Sequence, residues 1–358
     1  MQENETPFCP ECADGPELLD TPELGRRDFL RAAGGAAGLL ALGAAGAVPA
    51  VARAAEDKPK AAAKAAKPAE ALVRELYDTL SDDQKKQIVL PWNAGAKDGR
   101  GRPLRLGMYN SAIQNKKIGD VYTAPQQELI ERILKAISSG EDGYRRISRN
   151  GTFDGSGSLR GCGATLFGEP ADGKKYSWVF AGHHLTVRCD GNSEEGAAFG
   201  GPMYYGHSPN GYSPRNIFNF QTKSVLSVFD ALSEAQRKKA VVPGTPGEQE
   251  PSVRLRPAKD AKPGISIHDL TKDQRELVEV VMRDLLSPYR KEDADEVLDI
   301  LKATGGMDKV HLAFYEDSRM NDKERWHFWR LEGPGFVWNY RVLPHVHCYV
   351  NISSKIKA

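Results

Sequence analysis

Hydrophobic and polar positions near the end of the chain alternate with the short period of β-strands. The stretch from Trp326 to Ile352 is rich in aromatic and β-branched residues, which favour half-buried strands. Gly333-Pro334-Gly335 and Pro344 divide this stretch into pieces of strand length. Because side chains two positions apart point to the same face of a strand, the imidazoles of His345 and His347 are predicted to stand side by side.

Helical periodicity marks other parts of the chain. An apolar stripe predicts a helix over 125–139, and its members are Leu129, Ile130, Ile133, Leu134 and Ile137. A second helix is predicted over Ala294–Ala303, where Gly305-Gly306 would end it. Three more helix starts have a capping box, in which Ser or Thr is followed three residues later by Gln: Ser81, Ser233 and Thr271.

Two strand-like runs, Leu159–Phe167 and Tyr176–Cys189, are joined by a polar turn and predict a hairpin. The second run contains Trp178 and Gly182 at the same spacing as a Trp–Gly pair in the C-terminal stretch. The repeated spacing suggests that two parts of the chain fold in a related way, because self-similarity is the mark of internal repeats.

These patterns together predict an α+β fold. Its two related halves, about 72–230 and 265–358, would each combine helices with antiparallel strands and pack as one domain. This arrangement fits a pseudo-twofold duplication, and chance similarity of two aromatic hairpins is the alternative. Two stretches interrupt the pattern: Gly200–Tyr212 is predicted to be a loop that lines a site, and Val241–Gly264, with five prolines, a surface excursion.

The front of the chain has the character of an export signal. The run Arg26–Arg31 (RRDFLR) resembles the twin-arginine motif, and Ala32–Ala52 follows it with no charged residue. Ten Ala and five Gly make that stretch weakly apolar, which favours a cleavable signal over 1–55. Residues 56–71 are predicted to be an Ala/Lys/Pro tether. The expected partner is the twin-arginine export machinery, with a periplasmic or extracellular destination and no stable membrane span after cleavage; an uncleaved anchor is the alternative.

Composition and charge exclude some partners. The chain has 358 residues, of which 40% are hydrophobic and 27% charged, and a formal net charge of +1, so nothing suggests nucleic-acid binding. Cys9 and Cys12 form a C-x-x-C that would be lost with the signal. The three cysteines left for an oxidising compartment, Cys162, Cys189 and Cys348, would allow at most one internal disulfide.

Histidines carry the sharpest chemical signal. His345 and His347 on one strand face could form half of a metal site, because histidine is the commonest metal ligand. His183 and His184 are adjacent, so on a strand only one of them would point to the same site. His207 is a candidate further contact. Cys348 has the opposite parity to the histidine pair and should point away, which argues against a blue-copper ligand set.

At these residues the chain resembles the bacterial family catalogued as domain of unknown function 3500. The resemblance is carried by Gly182-His183-His184-Leu185, the Gln-containing helix starts, Arg330–Pro334 and His345-Val346-His347, over about Leu72 to the C-terminus. Cys348–Asn351 departs from the Thr-Val-Trp-Arg-Asp run expected in many members. The resemblance supports the fold and the site but implies no activity. Resemblance to twin-arginine substrates implies export of a folded chain, often with its cofactor already fitted.

Two classes of function fit the sequence. The first is an exported enzyme, a hydrolase or an oxidoreductase, that uses a divalent transition metal (Zn, Fe, Mn or Cu), with Glu332 as ligand or general base. The second is a non-catalytic binding protein of the cell envelope, in which aromatic side chains and the 200–212 loop would hold a small molecule or a glycan. Under the second hypothesis each histidine is a buried, hydrogen-bonded core residue.

Overall fold

Eleven strands form one mixed sheet in the computed structural model, which describes residues 68–96, 101–248, 253–257, 259–316, 320 and 324–355. The predicted export signal, the pair Cys9 and Cys12, and most of the predicted tether lie outside these residues. The described part belongs to one compact unit. Its first helix begins at Pro68, four residues before the predicted boundary of the domain.

In chain order the strands are β1 (Val89–Leu90), β2 (Gly163–Gly168), β3 (Tyr176–Gly182), β4 (Leu185–Cys189), β5 (Met203–His207), β6 (Val241–Pro243), β7 (Ile265–Ser266), β8 (His311–Glu316), β9 (Phe328–Gly333), β10 (Phe336–Arg341) and β11 (Val346–Ile352). The order across the sheet is β1-β2-β3-β4-β5-β11-β10-β9-β8-β6, and β7 pairs with β8. The β1–β2 and β6–β8 pairs are parallel, and the other pairs are antiparallel. The C-terminal stretch therefore supplies three neighbouring strands, as its pattern predicted.

The helices confirm the α+β class. They are α1 (Pro68–Asp78), α2 (Asp82–Ile88), α3 (Ile118–Val121), α4 (Ala124–Ile137), α5 (Gly140–Ile147), α6 (Asn219–Ala231), α7 (Glu234–Ala240), α8 (Lys272–Leu286) and α9 (Lys291–Ala303). The predicted stripe of α4 is buried along its whole length. No helix within the described ranges combines the length and apolarity needed to cross a membrane.

Capping boxes begin four of these helices. The three predicted boxes start α2, α7 and α8, and a fourth, at Thr123, starts α4. The glutamines also join the boxes in pairs: Gln84 Nε2 donates to Gln126 Oε1 at 2.7 Å, and Gln236 Nε2 donates to Gln274 Oε1 at 2.9 Å. The same contact thus joins the starts of α2 and α4 and the starts of α7 and α8. The pseudo-twofold duplication itself stays a prediction.

One strand prediction and one loop prediction were wrong. The run 176–189 is two strands, because His183 and His184 form a two-residue turn between β3 and β4. The predicted loop 200–212 contains β5, which lies between β4 and β11 in the middle of the sheet. Only the Met-Tyr-Tyr part of β5 lacks turn-forming residues. The strand forms nevertheless, because hydrogen bonds to a neighbouring strand on each side outweigh the local preference for a turn.

The two faces of the sheet are covered differently. Helices pack on one face, where aromatic side chains such as Trp178 and Trp338 join Val225 and Val281 in the main core. The opposite face is covered by irregular segments, and Val253 packs there against strand residues including Tyr204 and Tyr349. The predicted surface excursion 241–264 therefore lies partly on the sheet. This second, loop-covered face carries the polar chemistry described below.

Gly206 permits the close pairing of β5 with β11. A Cβ added at Gly206 would lie 2.3 Å from the carbonyl oxygen of Val346 and 3.0 Å from Cδ2 of His347. The Gly206→Ala substitution is therefore expected to lower the free energy of unfolding by about 3 kcal/mol or more, because backbone in a central strand yields little.

Gly173→Ala is the matched control. Gly173 has a φ of +74° in an open turn, so its substitution strains the backbone without a collision and should cost about 1 kcal/mol. Chemical denaturation of both variants measures the difference. A Gly206→Ala protein as stable as the Gly173→Ala protein would contradict the packing seen here.

Candidate metal centre

Three buried histidines meet on the loop-covered face of the sheet. Nε2 of His345 lies 3.1 Å from Nε2 of His184 and 2.9 Å from Nε2 of His347. The side chains of His184 and His347 are fully buried, and His345 is 4% exposed. All three ligand atoms lie within 4.8 Å of one another. The structure thus brings together residues that are more than 150 positions apart in the chain.

Local structure explains how each ring is presented. His347 is on β11 and His345 immediately precedes that strand, so the two rings stand side by side, with centroids 4.7 Å apart. His184 is the second residue of the β3–β4 turn and has a φ of 55°. Its backbone N–H donates to Asn110 Oδ1 at 2.6 Å, and the N–H of His183 donates to Ser156 Oγ at 2.8 Å. The turn is therefore fixed by loop residues.

Carboxylates contact two of the rings at Nδ1, the nitrogen that points away from the cluster. Nδ1 of His184 lies 2.8 Å from Oδ2 of Asp154, and Nδ1 of His347 lies 3.1 Å from Oε1 of Glu248. A carboxylate accepts a hydrogen bond, so it favours the tautomer with the proton on Nδ1 and a lone pair on Nε2. This is the arrangement that orients metal-binding histidines in many proteins.

Asp154 is the electrostatic anchor of the site. It lies beside the buried guanidinium of Arg149, with Nε 3.5 Å from Oδ2, and its Oδ1 contacts Nδ1 of His207 at 2.6 Å. Burial opposes ionisation of Asp154, but the charge of Arg149 and the hydrogen bonds from His184 and His207 outweigh it, so the pKa lies well below its usual range. The Asp154 carboxylate is therefore ionised and faces the histidines.

Burial also determines the protonation of the histidines. Desolvation lowers the pKa of His184 well below its usual value, against the opposing hydrogen bond to Asp154. Desolvation, the charge of Arg341 and the neighbouring histidines lower the pKa of His347 in the same way. Both rings are accordingly neutral at pH 7, which is the form that binds metal ions.

Two of the three separations are those expected for ligands of one ion. With metal–nitrogen bonds of about 2.1 Å, separations of 2.9 and 3.1 Å each subtend roughly 90° at a shared centre, and the three ligand atoms all lie within 4.8 Å of one another. Three protein ligands would leave coordination positions open for other ligands. The donor set, three neutral imidazoles, suits Zn, Fe, Mn or Cu and does not distinguish among them.

Backbone strain occurs around the same site. Of the nine non-glycine residues with a positive φ in the described part of the chain, five belong to this region: Arg149, Asn150, Phe153, Asp154 and His184. Each such residue costs about 1 kcal/mol or more, and strain of this kind clusters at functional sites. The two-residue turn between β9 and β10 has Gly335, with a φ of 68°, at its second position, where the two-residue β3–β4 turn has His184.

Other predicted residues lie nearby without joining the three. The ring of His183 lies against that of His184, with centroids 3.9 Å apart, but its Nδ1 accepts from the N–H of Gly155 at 3.0 Å. His207 contacts Asp154 instead of the cluster. Cys348 points to the helix-covered face, as predicted, and is 3.1 Å from Nε1 of Trp338. The three cysteines of the described part are free and buried.

Glu332 is far from the histidines, which corrects its expected role as their general base. His347 pairs with Arg341, Arg341 pairs with Phe328, and Glu332 lies four residues further along β9. At 3.3 Å per residue this is about 13 Å along the strand alone. Two arginines bind the Glu332 carboxylate there. Sequence reasoning missed Asp154 and Glu248, which lie in irregular segments without a motif.

The aromatic residues give little support to a binding groove. The tryptophans Trp326, Trp329 and Trp338 are fully buried, and Tyr340 and Tyr349 are buried as well. They form core, as aromatic residues usually do.

The lowered pKa values of His184 and His347 predict that the metal-free protein loses stability in acid. Both groups have a lower pKa in the folded chain than the value of about 6.5 in the unfolded chain, so the unfolded chain binds more protons. The free energy of unfolding should be highest above about pH 6.5 and fall below it by about 1.4 kcal/mol per pH unit for each group.

Urea denaturation with a chelator present, at about pH 7.5 and 5.5, measures this loss. His347→Gln removes one of the two groups, so this variant should lose roughly half as much over the same interval. An equal loss in both proteins would show that other residues cause the acid sensitivity.

Comparison with known proteins gives a family but no activity. Residues 63–351 match the model of a family described as "Protein of unknown function (DUF3500)". Neither the curated proteins nor the solved structures contain a match to the chain. The match covers the sheet, the helices and all three clustered histidines, so the chain belongs to the DUF3500 family.

Proposed function

We propose that the protein is a metal-dependent enzyme, a hydrolase or an oxidoreductase, in which His184, His345 and His347 hold one divalent transition metal. The observation that carries the proposal is the convergence of three buried Nε2 atoms, two of them on rings whose Nδ1 atoms face carboxylates. A neutral imidazole has one N–H, so without a cation the three Nε2 atoms could be joined only by a hydrogen bond from one ring to another, whereas one cation can accept a lone pair from all three.

Strain supports a functional role for the centre. Glycine at position 184 would satisfy the turn without a backbone penalty, as Gly335 does in the β9–β10 turn. The chain instead has a histidine with a positive φ, surrounded by four more strained residues. A residue chosen only for stability would avoid this cost.

The chemistry follows from an ion with three protein ligands. Such an ion acts as a Lewis acid or lowers the pKa of a bound water to about 7. The residues of this chain would orient it: Asp154 and Glu248 fix two imidazoles, and Arg149 keeps Asp154 ionised. Burial excludes bulk water from the ligand side. His207, 19% exposed and in contact with Asp154, connects the site to solvent.

Elemental analysis of the purified protein tests metal binding. The unaltered chain should retain one ion, and the His345→Ala/His347→Ala double variant none. Asp154→Asn should weaken metal binding by about 10- to 100-fold, because loss of an orienting partner has effects of that size. His268→Ala is the control, since that side chain is 69% exposed and lies outside the cluster. Retention of the metal by the double variant would refute the assignment.

A second measurement separates a catalytic centre from a closed structural one. Co²⁺ in the site should give a visible spectrum that changes when azide is added, because a catalytic ion keeps an exchangeable position. A spectrum that azide leaves unchanged would indicate a fully ligated, structural ion and would count against an enzyme.

Export through the twin-arginine pathway to the periplasm or beyond is the second part of the proposal. It is supported by the run Arg26–Arg31 and the uncharged stretch after it. Changing Arg26 and Arg27 together to Lys should leave the full-length chain in the cytoplasm of bacterial cells, because the pathway recognises the arginine pair rather than its charge. Arg53→Lys is the matched control and should be exported normally. Equal export of both variants, measured by cell fractionation, would disprove this route.

A further inference from the structure

A cavity on the loop-covered face lies apart from the three histidines. Its volume is about 610 Å³, which is within the range of small-molecule sites. Its walls come from β8, β9 and the segment between β6 and β7. Arg330 is in register with Asn339 on β10 and Tyr349 on β11, two residues from His347. This register places the cavity about 10 Å across the sheet and about 7 Å along it from the candidate metal centre.

The lining of the cavity is strongly cationic. Of the described residues that line it, four are Arg or Lys and none is Asp or Glu: Arg254, Arg256, Lys262 and Arg330. A concave wall with one sign of charge focuses the electrostatic field and raises the local concentration of counter-ions. Tyr315 supplies an aromatic surface and a hydroxyl group to the same wall.

Contacts behind the wall hold several of these cationic groups in place. Glu332 is buried and accepts from Nε of Arg330 at 2.7 Å, and its Oε1 lies 2.7 Å from Nε of Arg256. One carboxylate therefore forms ion pairs with two guanidinium groups. Nζ of Lys262 donates to the carbonyls of Pro257 and Asp260, at 3.0 and 2.7 Å, and these neutral acceptors hold the ammonium in place without cancelling its charge.

We propose that this cavity binds a small organic anion, with its carboxylate or phosphate-like head group on the basic wall. The planar guanidinium fork matches the two oxygens of such groups, which is why arginine is common where they are recognised. The cavity is much larger than a bare inorganic anion, so the ligand also has an organic body. Tyr315 and the prolines of the wall, Pro246 and Pro263, contact that body.

Isothermal titration calorimetry at about 0.15 M ionic strength, where the screening length is about 8 Å, tests the proposal. The probes are succinate, its neutral counterpart succinamide, and sulfate. Succinate or sulfate should bind and succinamide should not, and the tighter anion identifies the preferred head group. Arg254→Gln and Lys262→Gln should each weaken binding by about tenfold or more, because each removes a charge-assisted hydrogen bond.

Lys259→Gln is the control variant, with the same charge change on an exposed residue of the same segment that does not line the cavity. It should bind like the unaltered protein. Arg256 and Arg330 are left unchanged, because removing either would leave the buried charge of Glu332 less well balanced. Thermal unfolding of all three variants verifies that they fold.

Three outcomes would overturn the proposal: no binding of either anion, equal binding of succinamide, or equal weakening by Lys259→Gln. The titrations are repeated on the His345→Ala/His347→Ala double variant. Anion binding that persists there supports a site independent of the metal, and binding that disappears would assign the anion to the metal centre instead. This comparison tests anion binding in the cavity separately from metal binding by the histidines.

Discussion

The close contact of β5 with β11 at Gly206 is the constraint on which the site depends. These two strands join the halves of the sheet, and Gly206 is in register with His347. Its backbone N–H also donates to the carbonyl of His184 at 2.9 Å. One residue without a side chain therefore holds the β3–β4 turn against β11. Because a Cβ at this point would collide with β11, only glycine lets the three imidazoles come within bonding distance of a shared ion.

The same contact has an energetic cost that other residues offset. Neutral, desolvated imidazoles lose their hydration when the strands close, and the backbone near them is strained. Asp154 and Glu248 return part of that loss through hydrogen bonds, and Arg149 and Arg341 balance their charges. A cation at the three Nε2 atoms would complete the compensation. These costs are the reason to propose a preformed metal site here rather than a set of core histidines.

Much of the fold could be predicted from the sequence, because the relevant signals are local. Capping boxes mark helix starts through contacts that span only three residues, and the His345–His347 pair follows from strand geometry. The errors occurred where distant pairing decides the structure. β5 was taken for a loop because its turn formers are visible in sequence while its two neighbouring strands are not. The His183–His184 turn was missed because neither residue is a usual turn former.

The site could be predicted only in part for the same reason. The sequence indicated which histidines to consider, but Asp154 and Glu248 reach them from irregular segments 30 and 99 residues away from their partners. No periodic pattern predicts such contacts. Glu332, the carboxylate that was expected to act there, is held instead by Arg256 and Arg330, which line the cationic cavity.

The two faces of the sheet have different roles. Helices bury the aromatic residues of one face and supply the apolar core, which leaves the other face available for polar groups under irregular segments. The segment that follows β6 serves both polar sites, because Thr245 lines the cavity and Glu248, three residues later, contacts His347 and Arg341. A ligand bound against Thr245 would therefore lie three residues from the carboxylate that contacts His347.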